Sequence, residues 1–336
     1  MHGEEPVLLP PFRYLRAADL GEAVAALAAG GDGAQLLAGG TDLLISMRQG
    51  LVAPATLIGI RGLQGLDGIE TGATGDLRIG AGVMLTDLAE HPVVLARFPA
   101  IAQAARSVGS RHVRNMATLG GNLRLPTRCW YTNQSADWRA ARAPCWKTDG
   151  ALCHVIKTSA TCRAINSSDV APALLALGAR LSVRSVRGER EAPLAAFYND
   201  DGVNHTNLAR DEIITAVLVP PAQARTVFTK AAARTGLDYG YGTLAAAVTG
   251  SNKAVRSARL VAGSVGSWPV VLERAGQVVV ERGLNPAAIE AAAEAARGDL
   301  GEVANLFSPP GYKKRLVRGL VAQVLEQLRR IRPGTD

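Results

Sequence analysis

Only four thiols occur in the 336-residue chain, and all fall in one stretch: Cys129, Cys145, Cys153 and Cys162. Four thiolates close a tetrahedral zinc site or hold one iron–sulfur cluster. The gaps between them are 15, 7 and 8 residues, with no closely spaced cysteine pair of the kind structural zinc sites use. Widely spaced single thiols can still wrap a cubane, whose corner irons lie farther apart than the ligands of one ion. The spacing favours a 4Fe–4S cluster, while zinc, free thiols and disulfides stay open. His154 directly follows Cys153 and is an alternative ligand. Trp130, Tyr131, Trp138 and Trp146 lie among the cysteines. There they would keep water off a cluster, or give a core to a loop poor in secondary structure.

A second chemistry is suggested by two glycine loops. Leu36-Leu37-Ala38-Gly39-Gly40-Thr41-Asp42-Leu43 runs from an apolar strand into a glycine pair, a hydroxyl and a helical start. Thr118-Leu119-Gly120-Gly121-Asn122 repeats those ingredients. Glycines let backbone N–H groups approach a diphosphate, and a following helix offers its positive end. One such loop is usually only a turn. Two in one domain point to a dinucleotide gripped from two sides. Neither is a Rossmann fingerprint or a P-loop.

The surrounding sequence divides into helices, strands and loops. Asp19 caps a helix over 19–29 that Gly30-Gly31 stops. Strands are expected over 34–38, 55–60, 77–81 and 179–186, and helices over 42–49, 100–108 and 169–178. Residues 109–115 read as a polar loop, and 124–163 as irregular. Ile79-Gly80-Ala81-Gly82 reads as a strand with close backbone packing. Pro220-Pro221 marks a domain boundary, giving domains over 1–221 and 222–336. Beyond it, strands over 226–231 and 254–262 alternate with helices over 243–248 and 286–297. A last helix over 312–331 carries Leu316, Leu320, Val324 and Leu328 on one stripe.

The two glycine loops, with Leu77-Arg78-Ile79-Gly80-Ala81-Gly82, Arg114-Asn115, Ser168-Asp169 and Lys230, resemble the FAD-binding subunit of the molybdenum hydroxylases. That family includes xanthine dehydrogenase and the medium subunit of CO dehydrogenase. The resemblance implies an α+β fold. A two-part FAD-binding domain of the vanillyl-alcohol-oxidase (PCMH) type is joined to a smaller α+β domain of the CO dehydrogenase flavoprotein C-terminal type. It places the FAD diphosphate on the two glycine loops, Asp169 near the ribityl chain and Lys230 near the flavin ring. Asn122 and Asp169 stand 47 positions apart, far more than the family pattern needs. The excess, about 124–163, holds every cysteine.

The insert narrows the likeness. Thr127-Arg128-Cys129, Tyr131-Thr132-Asn133-Gln134-Ser135, Cys153-His154-Val155 and Asp169-Val170-Ala171-Pro172-Ala173-Leu174 are similar to the flavin subunits of 4-hydroxybenzoyl-CoA reductases, which carry FAD and one extra 4Fe–4S cluster. Aldehyde oxidoreductase flavin subunits have a similar insert with different spacing. One cluster uses all four thiols, so the resemblance assigns the paired 2Fe–2S centres to a small partner subunit. It assigns molybdopterin to a large one, in an (αβγ)2 assembly. The expected role is electron transfer from reduced ferredoxin through 4Fe–4S and FAD to those partners, for reductive dehydroxylation of 4-hydroxybenzoyl-CoA. The alternative is the flavin subunit of an enzyme oxidising aldehydes or N-heterocycles. A zinc-stapled scaffold without redox function is the third.

Composition sets outer bounds. A hydrophobic content of 48% and charged content of 20% support a packed core and argue against disorder. A formal net charge of +8 without a nucleic-acid motif argues against nucleic acid as partner and suits an acidic electron carrier. Residues 1–11 carry no signal-like apolar run, and no stretch has membrane-span length. The expectation is a cytoplasmic protein whose thiols stay reduced.

Overall fold

The computed structural model describes residues 9–221, 223–301, 309 and 311–332. Most of the N-terminal stretch read for a signal, residues 1–8, lies outside them. The chain opens with a parallel three-stranded sheet in the order Arg13–Arg16, Thr56–Gly59, Ala34–Leu37. Helix Leu20–Gly30 covers one face, burying Ala23, Val24 and Leu27. Its start is fixed by Asp19, whose carboxylate accepts from Glu22 N at 2.8 Å, satisfying an otherwise orphaned donor. Leu36 and Leu37 at the end of the third strand stay only half-buried.

A five-stranded antiparallel sheet follows, ordered Ile69–Thr71, Leu77–Gly80, Ile213–Val219, Arg180–Ser185, Gly188–Pro193. Helices Leu85–Glu90, Pro99–Ser107 and Val170–Ala176 supply much of its core, and all seven residues of Val170–Ala176 are buried. Gly80 and Gly82 run beside the Leu66 carbonyl, where a Cβ would intrude, so the 79–82 segment does pack backbone against backbone. The polar 109–115 segment contains one helical turn, Arg111–Arg114, capped by Ser110.

The remaining sheet is antiparallel, ordered Val270–Val271, Val255–Gly263, Gly242–Gly250, Arg225–Ala231. Helices Glu273–Arg282 and Tyr312–Arg330 pack against it, and Pro286–Asp299 packs on those two helices. The helix expected over 243–248 is instead the middle of strand Gly242–Gly250. Leu244, Ala245, Ala246, Ala247 and Val248 are all buried. A short apolar run sealed on both faces carries no periodicity that separates strand from helix. Here pairing with both neighbours overrides the helical preference of alanine. The architecture is α+β, and among the described residues no helix is long and apolar enough to cross a membrane.

One buried cation anchors the end of the last helix. Arg225 donates through Nη1 to Asn252 Oδ1 (2.7 Å), Leu328 O (2.8 Å) and Ile331 O (3.1 Å), and through Nη2 to Gly250 O (3.2 Å). It supplies donors to terminal carbonyls that the helix cannot satisfy itself. Arg225→Met is expected to lower the unfolding free energy by about 3 kcal/mol, because it leaves buried acceptors unpaired. Denaturant titration checks this.

Candidate functional site

The first glycine loop leaves the strand Ala34–Leu37 and enters helix Leu43–Arg48. Gly40 has φ +70, a conformation that favours glycine. Gly39 lies against the Met116 carbonyl, and a Cβ there would overlap it. Ala38, Gly39, Gly40, Thr41, Asp42 and Leu43 are half-buried. Among the described residues no protein group accepts from the backbone N–H of Gly39 through Leu43. Half-buried donors without partners at the end of a sheet are what an oxygen-rich ligand would satisfy.

The second loop is a turn of helix, Leu119–Leu123, whose cap Thr118 accepts from Gly121 N. Its N–H groups are committed: Leu119 to Val83 O (2.9 Å), Gly120 to Ala81 O (2.8 Å) and Asn122 to Thr118 O (2.9 Å). The two loops touch through Gly39 and Met116. Glycine at 120 is needed because a Cβ would sit 2.9 Å from that of Ala81. This loop therefore offers close approach and side chains, and the first loop offers the open N–H groups.

Asn122 carries the site onward. Its Oδ1 accepts from Ser168 Oγ at 2.7 Å, and Ser168 Oγ accepts from Ala171 N at the start of helix Val170–Ala176. The next residue, Asp169, pairs with Lys230: Nζ donates to Asp169 Oδ2 (2.7 Å), Asp238 O (2.9 Å) and Ser107 O (3.1 Å). The two residues singled out separately in the sequence thus form one buried ion pair across two sheets. Burial pushes the Asp169 carboxyl up, and the Lys230 ammonium pulls it back.

The segment 124–163 holds two short ordered pieces, Ala136–Ala140 and Trp146–Thr148. Its four cysteines come together. Cys129, Cys145, Cys153 and Cys162 line one cavity with Tyr131, Trp146, Lys147 and His154. Among the described residues, no three His, Cys, Asp or Glu side chains are grouped so that they could hold one metal ion. All four thiols belong to the wall of that one small cavity. Burial raises the Cys129 thiol and pushes Cys162 up to about 11, so both stay neutral unless a cationic centre takes their protons. Lys147 reaches Thr127 O at 3.0 Å, and burial lowers its pKa. Only Tyr131 and Trp146 of the four aromatic residues line the cavity. Trp130 is 42% exposed and packs edge-on to Trp138 at 5.0 Å. His154 Nε2 is 2.9 Å from Ala143 O, and its ring stacks on Tyr131, so backbone and aromatic contacts hold it.

A cover over the cysteines lay outside the sequence expectations. The loop 199–206 bonds back through Gly202 N to Cys162 O (2.8 Å), and Thr127 Oγ1 donates to Gly202 O. A Cβ on Gly202 would stand 2.7 Å from Cys162 Sγ. Nothing in the local sequence links Gly202 to a cysteine 40 positions earlier, and only the isolated pattern Asp201-Gly202 hints at a turn. Gly202→Ala is expected to displace Cys162 and to speed labelling of the native protein's thiols severalfold; the rate of reaction with a thiol reagent reads this.

In the same loop His205 is buried and neutral. Nε2 accepts from Arg124 Nη1 at 3.3 Å and Nδ1 faces Val203 O at 3.4 Å. Burial, then the Arg124 charge, lowers its pKa to about 4. The unfolded chain binds this proton near pH 6.5 and the folded one does not until about pH 4, so stability falls as pH drops through that window. In His205→Gln this part of the acid slope is expected to vanish, as followed by melting temperature against pH.

Two arginines join the insert to the first loop's helix. Arg128, adjacent to Cys129, pairs with Asp42 at the helix N-terminal side. Arg139 donates through Nη1 to Gln49 O (3.2 Å) and through Nη2 to Gly50 O (2.9 Å), at the helix C-terminal side. It also holds Gln134 O within the insert.

Comparison with known proteins adds the following. The profile of the family described as the FAD binding domain in molybdopterin dehydrogenase matches residues 10–222. That of the CO dehydrogenase flavoprotein C-terminal domain matches residues 227–328. The aldehyde oxidoreductase FAD-binding subunit PaoB of Escherichia coli is 39% identical over 198 residues, 56% of this chain and 62% of that protein. The match therefore spans less than two thirds of PaoB. The putative xanthine dehydrogenase FAD-binding subunit XdhB of Escherichia coli is 27% identical over 94% of both chains. Among solved structures, carbon monoxide dehydrogenase from Hydrogenophaga pseudoflava is similar with a TM-score of 0.78 and 25% identity, covering 96% of this chain and 98% of that one.

Proposed function

From the chain's membership of the family of FAD-binding domains in molybdopterin dehydrogenases, we propose that it is the flavin and iron–sulfur electron-transfer subunit of an aldehyde-oxidising molybdenum hydroxylase. One observation carries the electron-transfer reading: four thiols converge on a single cavity in a segment tied to the first glycine loop. The choice of aldehyde rests on the likeness to PaoB.

The residues fit both groups. FAD would lie on Leu36, Leu37, Ala38, Gly39, Gly40, Thr41, Asp42 and Leu43, against Thr118, Leu119, Gly120, Gly121 and Asn122, with Asp169 and Lys230 beside it. The open N–H groups of the first loop suit its diphosphate. Cys129, Cys145, Cys153 and Cys162 would hold one 4Fe–4S cluster. Four thiols that line one cavity, with no three of them among the described residues grouped to hold a single ion, suit a polynuclear centre better than one zinc ion, whose four ligands all lie about 2.3 Å from a point. The Lys147 ammonium would offset the negative charge of a four-thiolate cluster. When bound, FAD matches two-electron substrate chemistry to one-electron carriers.

With every thiol used, the 2Fe–2S centres and molybdopterin belong to small and large partner subunits, in an (αβγ)2 assembly. Seven basic and two acidic residues fall in 124–163, so an acidic carrier of the ferredoxin type fits the cluster side.

Reductive dehydroxylation of 4-hydroxybenzoyl-CoA stands second. It is favoured by the cysteine spacing and the short motifs around Cys129 and Cys153, but relatives named as aldehyde, xanthine and nicotinate enzymes weigh toward oxidation. Assay of the purified complex with aromatic aldehydes, N-heterocycles and aromatic acyl-CoA separates the readings. Aldehyde turnover without acyl-CoA reduction is expected, and the reverse pattern would install the second reading. Zinc without iron or flavin would reject both.

A further inference from the structure

We propose that the cysteine insert is a clamp for the flavin helix, so that occupancy of the thiol cavity sets how tightly the chain retains its flavin. The inference rests on the proposed FAD and cluster sites and concerns the coupling between them.

The helix Leu43–Arg48 is six residues long, too short to be stable alone. It follows the first glycine loop directly, so its placement decides where the open N–H groups of Gly39 to Leu43 point. The insert holds both of its ends. At the N-terminal side Arg128 pairs with Asp42, and both side chains are about four-fifths buried. At the C-terminal side the Arg139 guanidinium bonds to the carbonyls of Gln49 and Gly50, placing a cation where the helix dipole is negative. Both ties come from opposite sides of one thiol: Arg128 precedes Cys129, and Arg139 follows it by ten positions.

Arg139 is fixed within the insert and Arg128 at its base, and the insert has little regular structure of its own. Arg128 is pinned by paired bonds with Ile165 (Arg128 N to Ile165 O 2.7 Å, Ile165 N to Arg128 O 2.8 Å). Arg139 sits on the turn Ala136–Ala140, capped by Ser135. Between them the chain is organised around Cys129, with Thr132 N and Asn133 N bonding to Cys129 O at 3.1 and 2.9 Å. Arg128 also lies 5.8 Å from the ring centre of Tyr239. The neighbouring residue of that tyrosine, Asp238, accepts from Lys230. The same guanidinium therefore touches the first loop and the segment that holds the Asp169–Lys230 pair.

A ligand that links four thiols orders the segment that carries both arginines, and those arginines order the helix. Metal binding of this kind is folding free energy delivered to the ligand-bearing segment, and coupling between two sites is reciprocal. A filled cavity thus tightens flavin binding, which a slower release reads, and bound flavin tightens iron binding by the same factor.

The experiment measures flavin release from the full complex after dilution, by the rise of free-flavin fluorescence, with iron and flavin content determined first. The variants are Cys145→Ser, Arg128→Met/Arg139→Met, and all three changes together. Cys145→Ser is expected to release flavin about tenfold faster, within the usual range of coupling. The arginine pair should do the same with iron retained, and the triple variant should be no faster than either. Hydrogen exchange at residues 43–49 gives a second reading that does not depend on the arginine variants folding well, with protection expected to drop in Cys145→Ser. Equal release rates, unchanged protection, or fully additive effects in the triple variant would overturn the clamp while leaving the cofactor assignment intact. Wild-type complex without iron or flavin would overturn the assignment, and the clamp with it.

Discussion

Replacing Cys145 with serine is expected to abolish the iron–sulfur absorbance of the purified complex while leaving it able to bind FAD at saturating flavin. The cavity has four thiols and no spare donor of equal quality. His154 is the nearest alternative, and its Nε2 already faces Ala143 O at 2.9 Å. Serine keeps the size of the side chain but is a poor ligand for iron, whose clusters are held by thiolates. The effect should be near complete loss of the four-iron species in iron analysis and low-temperature paramagnetic resonance. The glycine loops lie outside the cavity, so flavin stoichiometry in excess FAD should stay near that of the wild type. A full cluster signal in this variant would show that the four cysteines are not the ligand set.

Gly39→Ala is the reciprocal experiment and the second large effect. A methyl group at this position runs into the Met116 carbonyl, which is backbone and cannot rotate away. Either the two glycine loops separate or the strand end shifts. Overpacking of this kind costs about 1–3 kcal/mol, and any separation moves the open N–H groups relative to the second loop. Flavin content is expected to fall at least tenfold, well beyond any accompanying loss of iron, read by absorbance of the protein and of its acid extract. Unchanged flavin content would remove the first loop from the binding site. Gly236, with an ordinary φ and open space around it, offers a control: alanine there meets neither backbone strain nor a clash.

The candidate site residues could be picked out because their types are rare and their local grammar is strict. Four thiols gathered in one stretch, and two glycine pairs each following an apolar segment, stand out against the rest of the chain. The helix over 19–29 was readable from its Asp19 cap, and the final stripe of leucines from its period. The strand Gly242–Gly250 was not, because Leu244-Ala245-Ala246-Ala247-Val248 is sealed on both faces and its pairing partners lie elsewhere in the chain. Gly202 and the clamp arginines were hidden for a related reason. A glycine in a turn and an arginine in a loop are ordinary in sequence, and their meaning comes only from what they touch, Cys162 for one and the ends of helix Leu43–Arg48 for the others. Asp169 and Lys230 were each visible through resemblance, but their pairing is a fact of tertiary structure.

That pair has a bearing on assembly. Asp169 starts a helix of the first domain and Lys230 lies on the first strand of the next sheet, with their side chains 5% and 10% exposed. Sliding the two halves past one another with the seam still dry would leave a carboxylate and an ammonium buried and unpaired, a penalty of roughly 3–5 kcal/mol for a broken buried pair. The seam thus behaves as a weld and not a hinge.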